Sequence, residues 1–165
     1  MKIHLSRWVC VDVESNIRRL REEALSAAKA GAEMVVFPEL FLTGYTRPLD
    51  PQTAREIFAE VSAAAPEVLF VFGSISESRR NRLTVWSGGY QLAMYDKVHL
   101  FHPNGEHELW DAGESYVAFE WRDLRIGLMN CNDIRFPEQA RALKLEGRCD
   151  LLVVPAWWPW RRDHI

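Results

Sequence analysis

A cysteine near the C-terminal end of this 165-residue sequence has a setting suited to nucleophilic chemistry. Cys131 follows an apolar run containing Ile126 and Leu128, and it precedes a predicted helix that starts near Pro137. A thiol between a strand end and a helix N-terminus lies where the helix dipole and unpaired N–H groups favour the thiolate. Such a turn also offers backbone N–H groups that can bind an oxyanion. The alternative is that Cys131 is a small buried apolar residue.

Two charged residues lie beside apolar segments, where a charge is costly unless it is paired or used. Glu39 follows the apolar run 34–37, and its carboxylate is a candidate general base. Lys97 lies between apolar neighbours in segment 95–100, and a buried ammonium there needs carboxylate partners. Glu39 and Glu106 are the candidates. The alternatives are a carboxylate exposed in a loop and a lysine exposed on a strand.

A group of histidines and a carboxylate offers a different chemistry, zinc binding. His99, His102, Glu106 and His107 are residue types that bind zinc, but they lie in a predicted loop without rigid helical spacing. Local packing and hydrogen bonding of these histidines is therefore the favoured interpretation. No phosphate-binding glycine loop, serine-centred elbow or zinc-finger spacing is present in the sequence.

Three tryptophans follow the last predicted strand, namely Trp157, Trp158 and Trp160. Aromatic side chains at a strand end can line a substrate pocket or fill an interface. A packing role is favoured for the group. Cys10 and Cys149 have the patterns of core residues, and three scattered cysteines do not suggest a disulfide scaffold.

The elements that must position these residues alternate between strand and helix, which predicts an α/β or layered α+β fold. The periodicity leaves open whether the strands form one sheet or two. The predicted strands cover 2–11, 34–37, 68–75, a hairpin over 83–100 turning near Gly88-Gly89, 116–121, 124–130 and 151–154; the predicted helices cover 14–30, 51–65 and 138–147, and 99–115 is predicted to be loop.

Composition narrows the class of protein. The chain is 48% hydrophobic and 26% charged, which argues for one folded domain rather than a disordered chain. A formal net charge of −3 gives no basic footprint for nucleic acid, and no apolar run is long enough for a membrane helix. With no secretory signal at the start and no disulfide pattern, we expect a cytoplasmic protein without nucleic-acid or membrane partners.

Three segments, taken together, resemble the signature regions of the nitrilase superfamily, the carbon–nitrogen hydrolases. Segment 31–45 (GAEMVVFPELFLTGY) contains Glu39, segment 95–101 (YDKVHLF) contains Lys97, and segment 127–138 (GLMNCNDIRFPE) contains Cys131. They occur in the order that the family shows, and the resemblance covers essentially the whole chain. It implies the N-terminal part of an α-β-β-α sandwich, as a single domain over residues 1–165 with a C-terminal portion missing.

The resemblance also implies a mechanism without metal or organic cofactor. Cys131 would attack the substrate carbon to form a thioester, and Glu39 would carry the proton. Lys97 and the backbone N–H of Asn132 would stabilise the oxyanion. Glu106 would position Lys97 or the substrate, and Trp157 would contact the substrate. The family forms homodimers and larger homo-oligomers, and we expect the same of this chain.

Two departures from the family pattern bear on the substrate. Asn132 stands where an aromatic residue is common, and Asn130 stands where an apolar one is common. The Cys-Asn-Asp sequence is similar to that of some carbamoyl-amide hydrolases, so we expect a small amide or N-carbamoyl substrate. Two other hypotheses remain open, a catalytically impaired remnant that serves as an interaction module, and a metal-binding protein that uses His99, His102 and His107.

Overall fold

A computed structural model of the chain describes residues 1–158, so the prediction made for Trp160 lies outside the described residues. Within this range the chain folds into strands β1–β8 and helices α1–α4. The strands are β1 (Ile3–Leu5), β2 (Met34–Val36), β3 (Leu69–Glu77), β4 (Arg80–Ser87), β5 (Tyr90–Asp96), β6 (Val117–Trp121), β7 (Leu124–Leu128) and β8 (Leu151–Val153). The helices are α1 (Val13–Lys29), α2 (Pro51–Ala63), α3 (Glu106–Leu109) and α4 (Pro137–Leu145), with 3₁₀ turns at His102–Asn104 and Cys131–Arg135.

Local signals explain where the two long helices begin. The Asp12 carboxylate accepts a hydrogen bond from the backbone N–H of Ser15 at 2.8 Å and so caps α1. Asp50 caps α2 in the same way through Thr53, and Pro51 occupies the first turn of that helix. Each helix then turns an apolar stripe towards the sheet, as the helical periodicity predicts.

The strands of the described residues form two sheets. The larger has the order β1-β2-β3-β4-β5, parallel from β1 to β3 and antiparallel from β3 to β5. The smaller has the order β6-β7-β8, with β7 antiparallel to β6 and parallel to β8. The question that periodicity left open is therefore answered by two sheets.

Three of the four hydrophobic clusters among residues 1–158 join these elements into layers. One core lies between α1, α2 and the larger sheet and contains Phe37, Phe58 and Phe72. A second lies between the two sheets and includes Tyr95 and Ile126. The third joins the smaller sheet to α4 through a cluster of Met129, Leu143 and Cys149. The order helix, sheet, sheet, helix over residues 1–158 confirms the predicted layered α/β fold.

The structure corrects several predicted boundaries. The strand predicted over 2–11 pairs only over Ile3–Leu5. The predicted alternation continues after Leu5, but there Trp8 is half-buried by packing rather than by strand pairing. Trp8 makes edge contacts with Phe37 and Phe41. The hairpin predicted near Gly88-Gly89 is confirmed, but β4 begins earlier, after a second hairpin turn at Ser78 and Arg79.

The segment predicted as loop, 99–115, contains a 3₁₀ turn and the single helical turn α3. That turn places Glu106 in the interior, whereas a featureless loop would leave its position undefined. Among the described residues no helix is both long and apolar enough to cross a membrane.

Candidate active site

A fully buried ion cluster lies where the chain leaves β2 and β5. The ammonium of Lys97 lies 2.7 Å from Glu39 Oε1 and 2.8 Å from Glu106 Oε2, and all three side chains have no solvent exposure. Isolated charges at this depth would be strongly destabilising, so each depends on the others. The structure thus brings together the lysine and the two glutamates that the sequence singled out.

Glu39 is held in place by the turn that follows β2. The neighbouring strand β3 bulges at Gly73, which has a φ of 50°, and a Cβ there would lie 1.8 Å from the carbonyl oxygen of Pro38. Only glycine allows this approach. The Glu39 carboxylate then accepts hydrogen bonds from Asn81 Nδ2 at 2.9 Å and from the backbone N–H of Trp157 at 3.3 Å.

Lys97 and Glu106 are fixed from several directions. The backbone N–H of Lys97 donates to the carbonyl of Asn81 at 3.0 Å. Glu106 accepts hydrogen bonds from the Tyr45 hydroxyl and from the backbone N–H of Phe101, each at 2.8 Å. Burial acts to lower the pKa of Lys97, but the neighbouring carboxylates of Glu39 and Glu106 outweigh it and the pKa is raised. Lys97 is therefore a cation at neutral pH.

Cys131 opens the 3₁₀ turn after β7 in a strained conformation, with a φ of 47°. Left-handed backbone is unfavourable for a residue with a Cβ, and such strain tends to occur where a side chain must be presented at a site. The backbone N–H of Cys131 donates to the carbonyl of Pro155 at 2.7 Å, and the thiol lies 3.8 Å from the carbonyl of Trp157.

The protonation state of Cys131 differs from the sequence-based expectation. Burial and the neighbouring Glu39 carboxylate raise the pKa of the thiol to about 12, and Lys97 opposes them only in part. The expected help from a helix N-terminus is weak because a 3₁₀ turn separates Cys131 from α4. The resting residue is a neutral thiol, so any attack by sulfur requires a base that removes the proton.

A second buried carboxylate holds the turn that carries Cys131. Asp133 Oδ2 accepts hydrogen bonds from the Tyr95 hydroxyl at 2.7 Å and from the backbone N–H of Asn130 at 2.8 Å. Its other oxygen, Oδ1, accepts the backbone N–H of His99 at 2.8 Å and lies 2.9 Å from the His99 ring. Asp133 thereby ties the cysteine turn to the end of β5, next to Lys97.

This network yields a stability prediction for Tyr95. Its hydroxyl donates to Asp133 and accepts hydrogen bonds from the backbone N–H of Val98 at 3.1 Å and from Gln139 Nε2 at 2.9 Å. Tyr95→Phe removes all three of these hydrogen bonds from the interior, so we expect the free energy of unfolding to fall by about 1–3 kcal/mol in urea denaturation. Tyr90→Phe, at an exposed position of the same strand, is the control and should change little. Equal stabilities for the two variants would contradict this role.

A cavity of about 220 Å³ opens onto the cysteine. Cys131, Asn132 and Glu106 line it, and the remaining lining is mainly aromatic, from Tyr45, Phe101, Trp157 and Trp158, with Asn104 and Arg135. The Asn132 side chain points back into the protein, where its amide donates to the carbonyls of His99 and Leu100. Asn132 and Trp157, both named from the sequence, therefore lie at the cavity beside Cys131.

The histidines do not form the metal site that was considered. The His99 ring faces Asp133 and stacks on Phe136 with a centroid distance of 3.8 Å. His102 and His107 stack on each other at 4.6 Å. Within residues 1–158 no three histidine, cysteine, aspartate or glutamate side chains lie close enough to hold a metal ion.

Sequence reasoning did not single out four residues that contact the cluster or its supports: Tyr45, Asn81, Tyr95 and Asp133. Three of them lie inside the segments quoted for Glu39, Lys97 and Cys131, so their proximity to those residues was an available signal. Asn81 lies outside all three segments, and no spacing in the sequence relates it to Glu39. Its role emerges only from the pairing of β3, β4 and β5.

Comparison with known proteins agrees with the geometry. A family description of carbon-nitrogen hydrolases matches residues 3–164, almost the entire chain. The chain belongs to the carbon–nitrogen hydrolase family. The three segments that contribute Glu39, Lys97 and Cys131 all lie within the matched range.

Individual relatives in this carbon–nitrogen hydrolase family are distant and longer than this chain. A hydrolase of Pseudomonas protegens is 33% identical over 159 residues, covering 88% of this chain and 54% of that protein. An omega-amidase of Escherichia coli K12 is 28% identical over 162 residues, covering 94% and 61%. The crystal structure of an amidase from a Nesterenkonia species matches with a TM-score of 0.84 at 25% identity, covering 94% of this chain and 64% of that one. The chain thus spans roughly half to two thirds of the length of these relatives.

Proposed function

We propose that this carbon–nitrogen hydrolase cleaves the C–N bond of a small amide through a thioester on Cys131. The observation that carries the proposal is that the neutral Cys131 thiol lines the cavity, while the buried Glu39 carboxylate and Lys97 ammonium lie close enough to shift its pKa. Each group supplies what the others lack. The thiol needs a base, the carboxylate needs a cation beside it, and the developing oxyanion needs positive charge.

The first half of the reaction is acylation. Glu39 takes the proton from the Cys131 thiol as sulfur attacks the amide carbon, so a C–S bond forms and the carbonyl electrons move to oxygen. The Lys97 ammonium and the backbone N–H of Asn132 stabilise that oxygen, because the first N–H groups of a helical turn have no partner within the turn. Glu39 then gives its proton to the departing nitrogen, the C–N bond breaks, and an amine or ammonia leaves the thioester.

The second half is hydrolysis of the thioester. Glu39, again unprotonated, takes a proton from a water molecule that attacks the thioester carbon. The C–S bond breaks, the sulfur recovers the proton, and the acid leaves. Glu106 keeps its contact with the Lys97 ammonium and so holds the ammonium in place while Glu39 takes up and releases the proton. None of these steps uses a metal or an organic cofactor.

The substrate follows from the size and lining of the cavity. About 220 Å³ with mainly aromatic walls suits a small molecule in which a single carboxamide reaches Cys131. The similarity to an omega-amidase and to an amidase also supports a small carboxamide as the substrate. An N-carbamoyl compound is the second candidate, from the Cys131-Asn132-Asp133 sequence. Carbon dioxide released together with ammonia would identify the carbamoyl substrate, whereas a simple carboxamide releases ammonia and its carboxylic acid without carbon dioxide.

The pH dependence of Cys131 alkylation by iodoacetamide tests the proposed role of Glu39. Without a base, a thiol with a pKa of about 12 reacts about tenfold faster per pH unit up to that pKa, because only the thiolate reacts. With Glu39 as base, we expect the rate to be nearly constant between about pH 7 and 9. Glu39→Gln should convert this plateau into a steep rise with pH, and the rise should end at a lower pKa because the carboxylate that raises the thiol pKa is gone.

The matched control is Glu108→Gln, which neutralises an exposed carboxylate on the same short helix as Glu106. It should keep the plateau. A wild-type rate that rises tenfold per pH unit, or a plateau that survives in Glu39→Gln, would contradict the role of Glu39 as base.

A further inference from the structure

We infer that Asn81 is a positioning residue that selects which oxygen of Glu39 acts as the base. The inference rests on the proposed function, since it concerns how Glu39 is prepared to take the thiol proton. Asn81 is buried at the start of β4 and has an exposed fraction of 1%. It is not among the residues that line the cavity, and its side chain donates to Glu39, so its effect would pass through Glu39.

The two oxygens of Glu39 have different surroundings. Oε1 accepts a hydrogen bond from the Lys97 ammonium at 2.7 Å and another from Asn81 Nδ2 at 2.9 Å. Among the described residues, Oε2 has one backbone donor, the N–H of Trp157, at the longer distance of 3.3 Å. An oxygen that already accepts a charged and a neutral hydrogen bond is the weaker proton acceptor. Oε2 is therefore the oxygen left to receive the proton.

The orientation of the Asn81 amide is fixed by its partners. A carboxylate can only accept, so the NH₂ group of Asn81 must face Glu39. Its Oδ1 then faces away and accepts a hydrogen bond from Asn130 Nδ2 at 3.1 Å. Asn130 immediately precedes Cys131, so the two amides link the base to the segment that carries the nucleophile.

The backbone of Asn81 has a separate task. Its carbonyl oxygen accepts the backbone N–H of Lys97 at 3.0 Å. A side-chain substitution at position 81 leaves this bond in place and therefore tests the amide alone. Rotation of the Glu39 carboxylate, rather than loss of Lys97, is the expected consequence of such a substitution.

The test measures Cys131 alkylation by iodoacetamide from pH 5 to 9 in the full chain. Asn81→Ala should slow the reaction at pH 7 by at least about tenfold, because a misdirected base loses most of its benefit. Asn81→Asp has the same size but an acceptor in place of the donor. Alkylation of this variant should also be slow at pH 8. The rate should recover towards pH 5, where the new carboxyl group and that of Glu39 share a proton that can restore the hydrogen bond between them. Asn81→Ala should show no such recovery.

Thr84→Val is the matched control, since it removes a buried polar group from the same strand, a hydroxyl that lacks a hydrogen-bond partner among the described residues. It should leave the rate unchanged. Rates for Asn81→Ala and Asn81→Asp within about twofold of the Thr84→Val rate at every pH would overturn the inference. If Asn81→Ala fails to fold, the pH signature of the isosteric Asn81→Asp decides the matter. A slow Glu39→Gln together with a fast Asn81→Ala would reject this inference alone, whereas a fast Glu39→Gln would reject the proposed function.

Discussion

Replacing Cys131 with alanine is expected to abolish amide hydrolysis while leaving the fold intact. The substitution removes the only atom that the proposed mechanism joins to the substrate, so turnover should fall by at least about 10³-fold. The change in volume is one sulfur atom at the mouth of a cavity, so the packed core is unaffected. Ammonia release from small carboxamides, such as propionamide and succinamic acid, measures turnover, and circular dichroism checks the fold.

Cys149→Ala provides the control for the loss of a buried thiol. Cys149 is 1% exposed and packs with Met129 and Leu143 beneath α4, away from the cavity. This variant should keep its turnover. Undiminished hydrolysis by Cys131→Ala would remove Cys131 from the mechanism. Absence of hydrolysis in the wild-type chain, combined with ordinary thiol reactivity at Cys131, would favour the hypothesis of a catalytically impaired remnant.

The largest loss of stability is expected from Lys97→Met. The substitution keeps the length of the side chain but removes the cation shared by Glu39 and Glu106, whose side chains are completely buried. Breaking a buried ion pair from one side leaves uncompensated charge in the interior, at a cost of about 3–5 kcal/mol. Urea denaturation at pH 7 should show a loss of this size in the free energy of unfolding.

Two further variants test whether charge, rather than packing, causes that loss. Lys29→Met, at an exposed position near the end of α1, should change stability by no more than about 0.5 kcal/mol. Adding Glu106→Gln to Lys97→Met removes one of the two unpaired carboxylates and should restore part of the stability. A Lys97→Met protein within about 1 kcal/mol of wild type would show that the cluster does not depend on its cation.

The layers of the fold were predictable because each element carries a local signal. The helix cap at Asp12, the turn at Gly88-Gly89 and the apolar run after Gly31 each act within a few residues of the element they define. The prediction of a strand over 2–11 was wrong after Leu5. Alternation of apolar and polar residues indicates only that one face is buried, and at Trp8 aromatic packing buries that face without a neighbouring strand. Alternation therefore does not distinguish a paired strand from a packed extended segment.

The site was predictable to the extent that its residues lie in recognisable segments. Glu39, Lys97 and Cys131 are far apart in the chain, yet each is marked by a polar or reactive side chain at the edge of an apolar run. Asn81 carries no such mark, because its importance depends on the alignment of strands from different parts of the chain. The direction of the Cys131 pKa shift could not be predicted from the sequence either, since it depends on burial and on the distance to Glu39.

The central claim is that Cys131 is a nucleophile activated by its neighbours, and competition among the three cysteines for iodoacetamide tests it most directly. Cys10 is more exposed than Cys131, which has an exposed fraction of 8%, and Cys149 is buried. Limiting reagent at pH 7, followed by mass spectrometry of the peptides, gives the order of reaction. The account predicts that Cys131 reacts first, at least about tenfold faster than Cys10, and that Glu39→Gln removes this preference. Modification of Cys10 ahead of Cys131 in the wild-type protein would contradict it.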